Sequence, residues 1–534
     1  MPPMTSLYIL IVLSVLLVAC GSASSHSDGS PDSSNREPRR IVDADDSLVV
    51  SEPSDAPGTL PNDLHERSDM NPSVISEDAT VRIEDVDSDE EEVEVAAADT
   101  ETSGIEAVAL TKSDFSDAVD SGTVHDFLAK YDGPICDEQT CLIVTMAPTG
   151  TAVSVHGTFN SWGDTGAVML LELDGVPGIF HGTLPAPNET SLIEYKLKLD
   201  GEWAVDPTNA YIAFGGYGAN SALYGEKRGR ITEIEDVYSP TLGNSRSLYV
   251  YLPAPYFSSL DTSFPVLYMQ DGYNIFQNPM APFGSWDIEQ LLDAEIASGT
   301  IAPCIVVGID TTDRLSEYTY GKYAVDAPQP KLEQYTTFIR ETVIPLVDGT
   351  FRTLEGPQYR AIAGASLGGL SALWVALMEP QSFGATASLS GSFWVGEDGM
   401  TEPMRTIITS GQIAASPSTL RIYLDSGSVS GDGQAGYVGD SWVYTDWTRN
   451  ALIESGWTNR LVWDTDDDVS TVPANLATDT SIDNVPRFEW QESLTADSLQ
   501  AQKNLVSLVA IGQGHNEVAW KVRFRSVVRY LFAL

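Results

Sequence analysis

The tightest constraint in this sequence is the run Gly364-Ala365-Ser366-Leu367-Gly368-Gly369, because of what stands on either side of it. Upstream, residues 359–363 read as a short buried strand, and downstream residues 370–377 read as a helix that Pro380 ends. A chain that turns this sharply from strand to helix needs small neighbours at 364 and 368, so that the two elements approach closely. The serine at the apex then sits in a strained backbone conformation with its hydroxyl turned outward.

A serine hydroxyl is a weak nucleophile until a base takes its proton, and histidine is the side chain that titrates near neutrality. Of the six histidines, only His515 lies beyond His181. It stands in Gly512-Gln513-Gly514-His515-Asn516-Glu517, just after the apolar run 505–510. That places it on a loop leaving the C-terminal end of a strand, where an α/β-hydrolase presents its base. In that fold the order is Ser, Asp or Glu, then His, so the third member is sought between 366 and 515. Strand 420–425 followed by an acid-rich, glycine-rich loop points to Asp440, with Asp425 and Asp432 as alternatives. The oxyanion donors are expected to be the N–H of Leu367 and an N–H of Gly272 or Tyr273, after strand 265–269. A lipase-type HGGG motif is absent from the sequence.

Segments 249–253, 266–274, 303–310, Arg314-Leu315-Ser316-Glu317-Tyr318-Thr319, the serine turn, Leu389-Ser390-Gly391-Ser392 and Gly514-His515-Asn516-Glu517 with Trp520 together resemble the putative esterase family. That family includes enterochelin, feruloyl and acetyl-xylan esterases, esterase D and mycolyltransferases. The resemblance implies a serine esterase of α/β-hydrolase fold over residues 228–534, without a cofactor, acting on an ester substrate. It leaves the ester itself open, and acyl transfer to a sugar or lipid stands as the alternative chemistry. Residues 463–504, which include Asp464-Thr465-Asp466-Asp467-Asp468, exceed the compact family pattern; they lack an EF-hand's spacing, and no metal is assigned.

Residues 153–162 and 195–207 alternate as strands broken by turn residues. They resemble the early-set, immunoglobulin-like domains of the glycogen-binding type, which implies a small all-β domain over 122–227 preceding the esterase. By that resemblance Trp162 and Trp203 are stacking platforms for sugar rings, and Lys196 and Asn220 bind hydroxyls. Inherited scaffold is the competing reading, and a non-catalytic carbohydrate-binding surface lipoprotein the competing function.

Residues 7–18 form an apolar run of signal-peptide length, and Leu17-Val18-Ala19-Cys20-Gly21 resembles a bacterial lipobox. It implies removal of the segment before Cys20, lipidation of Cys20, and attachment to the cell envelope, at the outer membrane or cell surface, through the lipid alone. Residues 21–121 are rich in Ser, Asp, Glu and Pro, and read as a disordered acidic tether. Cys136 and Cys141 are spaced for a disulfide in an oxidising compartment, leaving Cys304 in an apolar strand. The net charge of −47 argues against nucleic acid as a partner, and polysaccharide remains the candidate macromolecule.

Overall fold

The computed structural model describes residues 110–428, 442–458, 488–489, 495, 497, 499, 504–510 and 512–534. Its larger part contains the strands β1 Arg230–Ser239, β2 Asn244–Leu252, β3 Val266–Gln270, β4 Ile305–Ile309, β5 Arg360–Ala365, β6 Ala385–Leu389, β7 Arg421–Gly427 and β8 Leu505–Ala510, with the two-residue strand Phe488–Glu489 beside β8. They lie in the order β1-β2-β4-β3-β5-β6-β7-β8. β2 runs antiparallel to both neighbours, while the ladder from β4 to β8 is parallel throughout.

Parallel strands need crossovers that cover both faces, so they read as unbroken apolar runs. Every residue of β3, β4, β6 and β8 is buried. One face packs on α1 Ile288–Ala297 and α5 Glu517–Phe532 through Leu292, Phe524 and Val528. The other packs on residues 332–347 and on α3 Leu367–Met378, with α4 Trp442–Glu454 alongside. The short helix α2, Arg314–Glu317, follows β4 at the C-terminal edge of the sheet. This is the α/β-hydrolase architecture, and the parallel ladder brings the loops after β3, β5, β6, β7 and β8 to one edge.

Ahead of β1, two antiparallel sheets share a core made by Ile143 and Phe180 on one side and Val155, Tyr195 and Leu197 on the other. Cys136 and Cys141 are joined as a disulfide between paired strands. The ladder does not stop at the expected boundary between 227 and 228: β1 pairs with Tyr211–Gly215, so one sheet continues from the β-rich part into the hydrolase. The tether was expected to reach Ser121, but Lys112–Ser121 is a helix. Thr111 and Asp114 close a capping box, Gly122 ends the helix in the left-handed region, and Phe115 and Ala118 pack with Leu142, Val144 and Ile179. The acidic composition around it concealed a short apolar face. The apolar run 7–18, Cys20, Asp432, Asp440 and most of 463–504 lie outside the described residues. Among the described residues no helix is long and apolar enough to cross a membrane.

A buried ion pair fixes α2. Arg246 of β2 reaches Glu317 at 2.7 and 2.9 Å, both side chains essentially without solvent contact, and Thr311 and Thr312 donate to the same carboxylate. Burial pushes the Glu317 carboxyl up, but Arg246 outweighs it and holds the group below its ordinary value. Removing one partner of such a pair typically costs about 3–5 kcal/mol, because the other charge is left buried.

Glu289, at the start of α1, is buried with no ion pair among the described residues, and burial pushes its carboxyl up to about 7. Unfolded, it returns to 4.5, so between these values the folded chain keeps a proton that the unfolded chain releases. The stability this contributes is full below the unfolded value and lost as pH rises through about 7. Glu289→Gln keeps an acceptor for the Gln277 N–H. Urea unfolding of this variant is expected to show equal stability at pH 4.5, a gain on the order of 2–3 kcal/mol at pH 8, and a flatter slope between.

Candidate active site

The turn after β5 is as tight as its glycines imply. A Cβ at Gly364 would stand 2.5 Å from the Gly368 carbonyl oxygen, and one at Gly368 would stand 3.0 Å from the Asp271 carboxylate. Ser366 itself has φ 57° and ψ −124°, a strained combination for a residue with a side chain. Its N–H donates to the Leu389 carbonyl at 3.0 Å, and its own carbonyl accepts from the Ser392 N–H at 3.0 Å. Both contacts come from the end of β6 and the loop after it, so the neighbouring strand holds the turn in place.

His515 leaves β8 on the expected loop, and its Nε2 lies 2.8 Å from Ser366 Oγ. The two side chains come from positions 149 residues apart. Asn516 accepts from the Ala519 N–H at 3.0 Å and caps α5, which fixes where the preceding histidine emerges. Trp520, one turn into α5, meets the imidazole edge-on with ring centroids 5.0 Å apart. The indole N–H donates to Ser390 Oγ at 3.0 Å, and Ser390 also accepts from Arg523 at 2.6 Å. Arg523 in turn donates to Asp425 at 3.1 Å, and the Tyr423 hydroxyl donates to the same carboxylate at 2.9 Å.

Asp425, one of the three acids singled out in the sequence, therefore sits inside β7 with Arg523 and Tyr423 as partners, both it and Arg523 fully buried. Asp440 and Asp432 lie outside the described residues. No role was read from the sequence for Arg523 or Ser392; Ser392 Oγ stands 3.4 Å from Ser366 Oγ. Arg523 gave no local signal, because the start of the last helix also carries Glu517, Lys521 and Arg525.

Leu367 heads α3, and the first N–H groups of a helix have no intrahelical acceptor. Gly272 and Tyr273 begin the short helix after β3. Asp271 precedes them in the left-handed region, with φ 59°. Arg314 of α2 grips the Asp271 carboxylate at 2.8 and 3.0 Å and donates to the Ala365 carbonyl at 3.3 Å. Burial alone would depress the Arg314 guanidinium, but Asp271 reverses this and holds it above its ordinary value. Burial likewise raises the Tyr273 phenol and the Glu517 carboxyl beside this edge. Cys304, by contrast, lies in the core with its thiol pushed up to about 12 by burial, which suits no nucleophile.

The four residues expected to contact sugar come together in a second place. Trp162, Lys196, Trp203 and Asn220 line one cavity of about 1000 Å³. Its far wall is supplied by the hydrolase part, with Gln277, Pro279, Asp287 and Glu289. The two indoles meet edge-on, 6.2 Å between centroids, and Trp203 is 48% exposed and not packed away. Asn220 donates to Glu194 at 2.7 Å, and Lys196 to the Tyr217 carbonyl at 3.3 Å.

A family model described as putative esterase matches residues 239–501. The uncharacterized protein YbbA of Bacillus subtilis is 28% identical over 227 residues, covering 40% of this chain and 80% of its own length. The endo-1,4-beta-xylanase/feruloyl esterase of Xylanibacter ruminicola is 27% identical over 243 residues, 41% of this chain and 31% of that protein. The iron(III) enterobactin esterase of Dickeya dadantii is 30% identical over 103 residues, 19% and 22%. The chain thus spans less than a third of the latter two. Among solved structures, the enterobactin esterase of Shigella flexneri aligns at 16% identity and a TM-score of 0.36, over 76% of this chain and 98% of its own. A ferulic acid esterase aligns at 16% and 0.38, over 57% and 98%. Residues 239–501 thus match the putative esterase family, and the match supports a carboxylic ester hydrolase.

Proposed function

We propose that the chain hydrolyses its ester by a two-step acyl-enzyme route at Ser366. The observation that carries this is the 2.8 Å contact of His515 Nε2 with the oxygen of a serine on a strained strand-to-helix turn. Ser366 Oγ attacks the ester carbonyl carbon while its proton passes to His515 Nε2. The tetrahedral oxyanion is held by the N–H of Leu367 and an N–H of Gly272 or Tyr273. Collapse breaks the carbon–oxygen bond to the alcohol, which leaves with the proton from His515. Water, deprotonated by the same nitrogen, then releases the carboxylic acid and restores the serine. Asp440 orients the imidazole in this reading. Asp432 is the alternative on the same loop, and the Arg523 and Tyr423 contacts of Asp425 suit that residue better to support than to catalysis.

The β-rich region ahead of β1 fits an early-set, immunoglobulin-like domain that binds polysaccharide, because two sheets pack on a shared core and its four predicted sugar contacts line one cavity. The relatives named for feruloyl and enterobactin esterase activity make carbohydrate-linked or siderophore esters the substrates to test first. Cys20 supplies the lipid anchor at a bacterial envelope, and the acidic stretch before Thr111 supplies the tether. This placement rests on the lipobox-like Leu17-Val18-Ala19-Cys20 and on composition.

On a nitrophenyl acetate, Ser366→Ala and His515→Ala are each expected to lower kcat by at least about 10³, and the double variant to be little worse than either, since the pair acts as a unit. Unchanged turnover in Ser366→Ala would end the assignment. For the third member, Asp440→Asn is expected to lower kcat by about 10²–10⁴ while Asp432→Asn stays within a few-fold; the opposite pattern moves the role to Asp432. In co-sedimentation with insoluble xylan, starch and glycogen, Trp162→Ala and Trp203→Ala are expected to weaken binding by roughly 1–2 kcal/mol each with nitrophenyl ester turnover intact. Retention equal to the parent's would leave these tryptophans as scaffold.

A further inference from the structure

We propose that Arg314 is a positioning residue that sets the spacing between the two halves of the oxyanion site. The proposal rests on the reading of Ser366 as nucleophile. Transition-state stabilisation of this kind requires both donors within about 2.7–3.1 Å of one point, and the donors here come from loops on different strands. Gly272 and Tyr273 follow β3, whereas Leu367 follows β5. One guanidinium spans the gap. Its Nε and Nη2 take both oxygens of Asp271, the residue before Gly272, at 2.8 and 3.0 Å. The same Nη2 donates to the carbonyl of Ala365, the residue before Ser366, at 3.3 Å.

The arrangement is fixed from several sides. The Asp271 N–H donates to the Tyr318 hydroxyl at 3.0 Å, and Tyr318 directly follows α2, so Arg314 and Tyr318 hold one residue by side chain and by backbone. α2 is itself anchored through Glu317 to Arg246 inside the core. On the other side, the Asp271 carboxylate abuts Gly368, where a Cβ would stand 3.0 Å away. A planar fork suits this task because two parallel hydrogen bonds fix an angle as well as a distance, which a lysine ammonium does not do. The Asp271 oxygens are engaged by that fork, so the pair acts through the backbone groups it holds.

The test compares Arg314→Lys, Asp271→Asn and Ser366→Ala with the parent chain on a nitrophenyl ester, together with inhibition by a boronic acid that mimics the tetrahedral intermediate. Arg314→Lys is expected to lower kcat by about 10- to 100-fold with KM within about three-fold, part of what losing one donor would cost. The boronic acid Ki is expected to rise by a similar factor, while the Ki of the product carboxylate stays put. Asp271→Asn, which keeps the shape and one acceptor, is expected to move the same quantities in the same direction, and it carries the comparison if Arg314→Lys does not fold. A KM increase with kcat retained would make Arg314 a substrate contact and overturn the proposal. So would kcat and Ki unchanged in both folded variants. If instead Ser366→Ala keeps parental turnover, the nucleophile reading itself has failed.

Discussion

The ion pair of Arg523 with Asp425 is the interaction on which the edge carrying Ser366 and His515 depends. Neither side chain has solvent contact, so the pair is favourable only if its remaining hydrogen-bonding groups are met. Tyr423 supplies a donor to the carboxylate, and Ser390 and Gln513 accept from the guanidinium. Those partners belong to β7, to the turn after β6, and to the loop after β8. Meeting the polar needs of one buried pair thereby fixes three strand ends relative to one another. Trp520 donates to the same Ser390 and lies edge-on against His515, so the position of the imidazole is a consequence of that network.

A second arginine has a similar place beside the turn of Ser366. Arg314 binds Asp271 and Ala365, and it is supported by the buried Arg246–Glu317 pair. Between the two arginines lies Ser366, whose backbone strain has to be offset by its surroundings. The offset is visible in the contacts its amide groups make with Leu389 and Ser392 and in the close crossing at Gly364. Parallel strands alone bring the loops to one edge, but they leave the loops' mutual spacing loose by more than acyl transfer tolerates. In this chain the fine spacing rests on charge pairs, Arg523–Asp425 fully out of water and Arg314–Asp271 partly so.

The sequence made the meeting of Ser366 and His515 legible because both are local or exclusive signals. Ser366 stands in a turn that reports its own geometry through neighbouring glycines, and His515 is the sole histidine in the right half of the chain. The strands of the sheet were legible to the extent that apolar runs such as 265–269, 359–363, 420–425 and 505–510 mark them. What escaped was non-local. Arg523 and Asp425 are 98 residues apart, and nothing in either neighbourhood says that they meet. The continuation of the sheet through Tyr211–Gly215 into β1 was hidden for the same reason, since pairing across a presumed boundary leaves no local mark. The helix Lys112–Ser121 was lost because the acidic composition of the preceding stretch outweighed a face of only two buried residues, Phe115 and Ala118.

That continuity changes how the β-rich part relates to the esterase. A flexibly linked module would bring its own complete site, but here one wall of the tryptophan-lined cavity is hydrolase sequence, from Gln277 to Glu289. This wall is tied at one end to Tyr273, whose carbonyl accepts from Asn278 at 2.8 Å, and near the other to α5, through the pair of Asp287 with Lys521. Trp286, between them, packs against Trp520 with centroids 5.9 Å apart. The wall is therefore braced by the same helix that carries the imidazole's neighbour, and its other end adjoins the loop of Gly272 and Tyr273. Because packed interiors transmit displacement instead of absorbing it, these contacts couple the cavity wall to the serine edge.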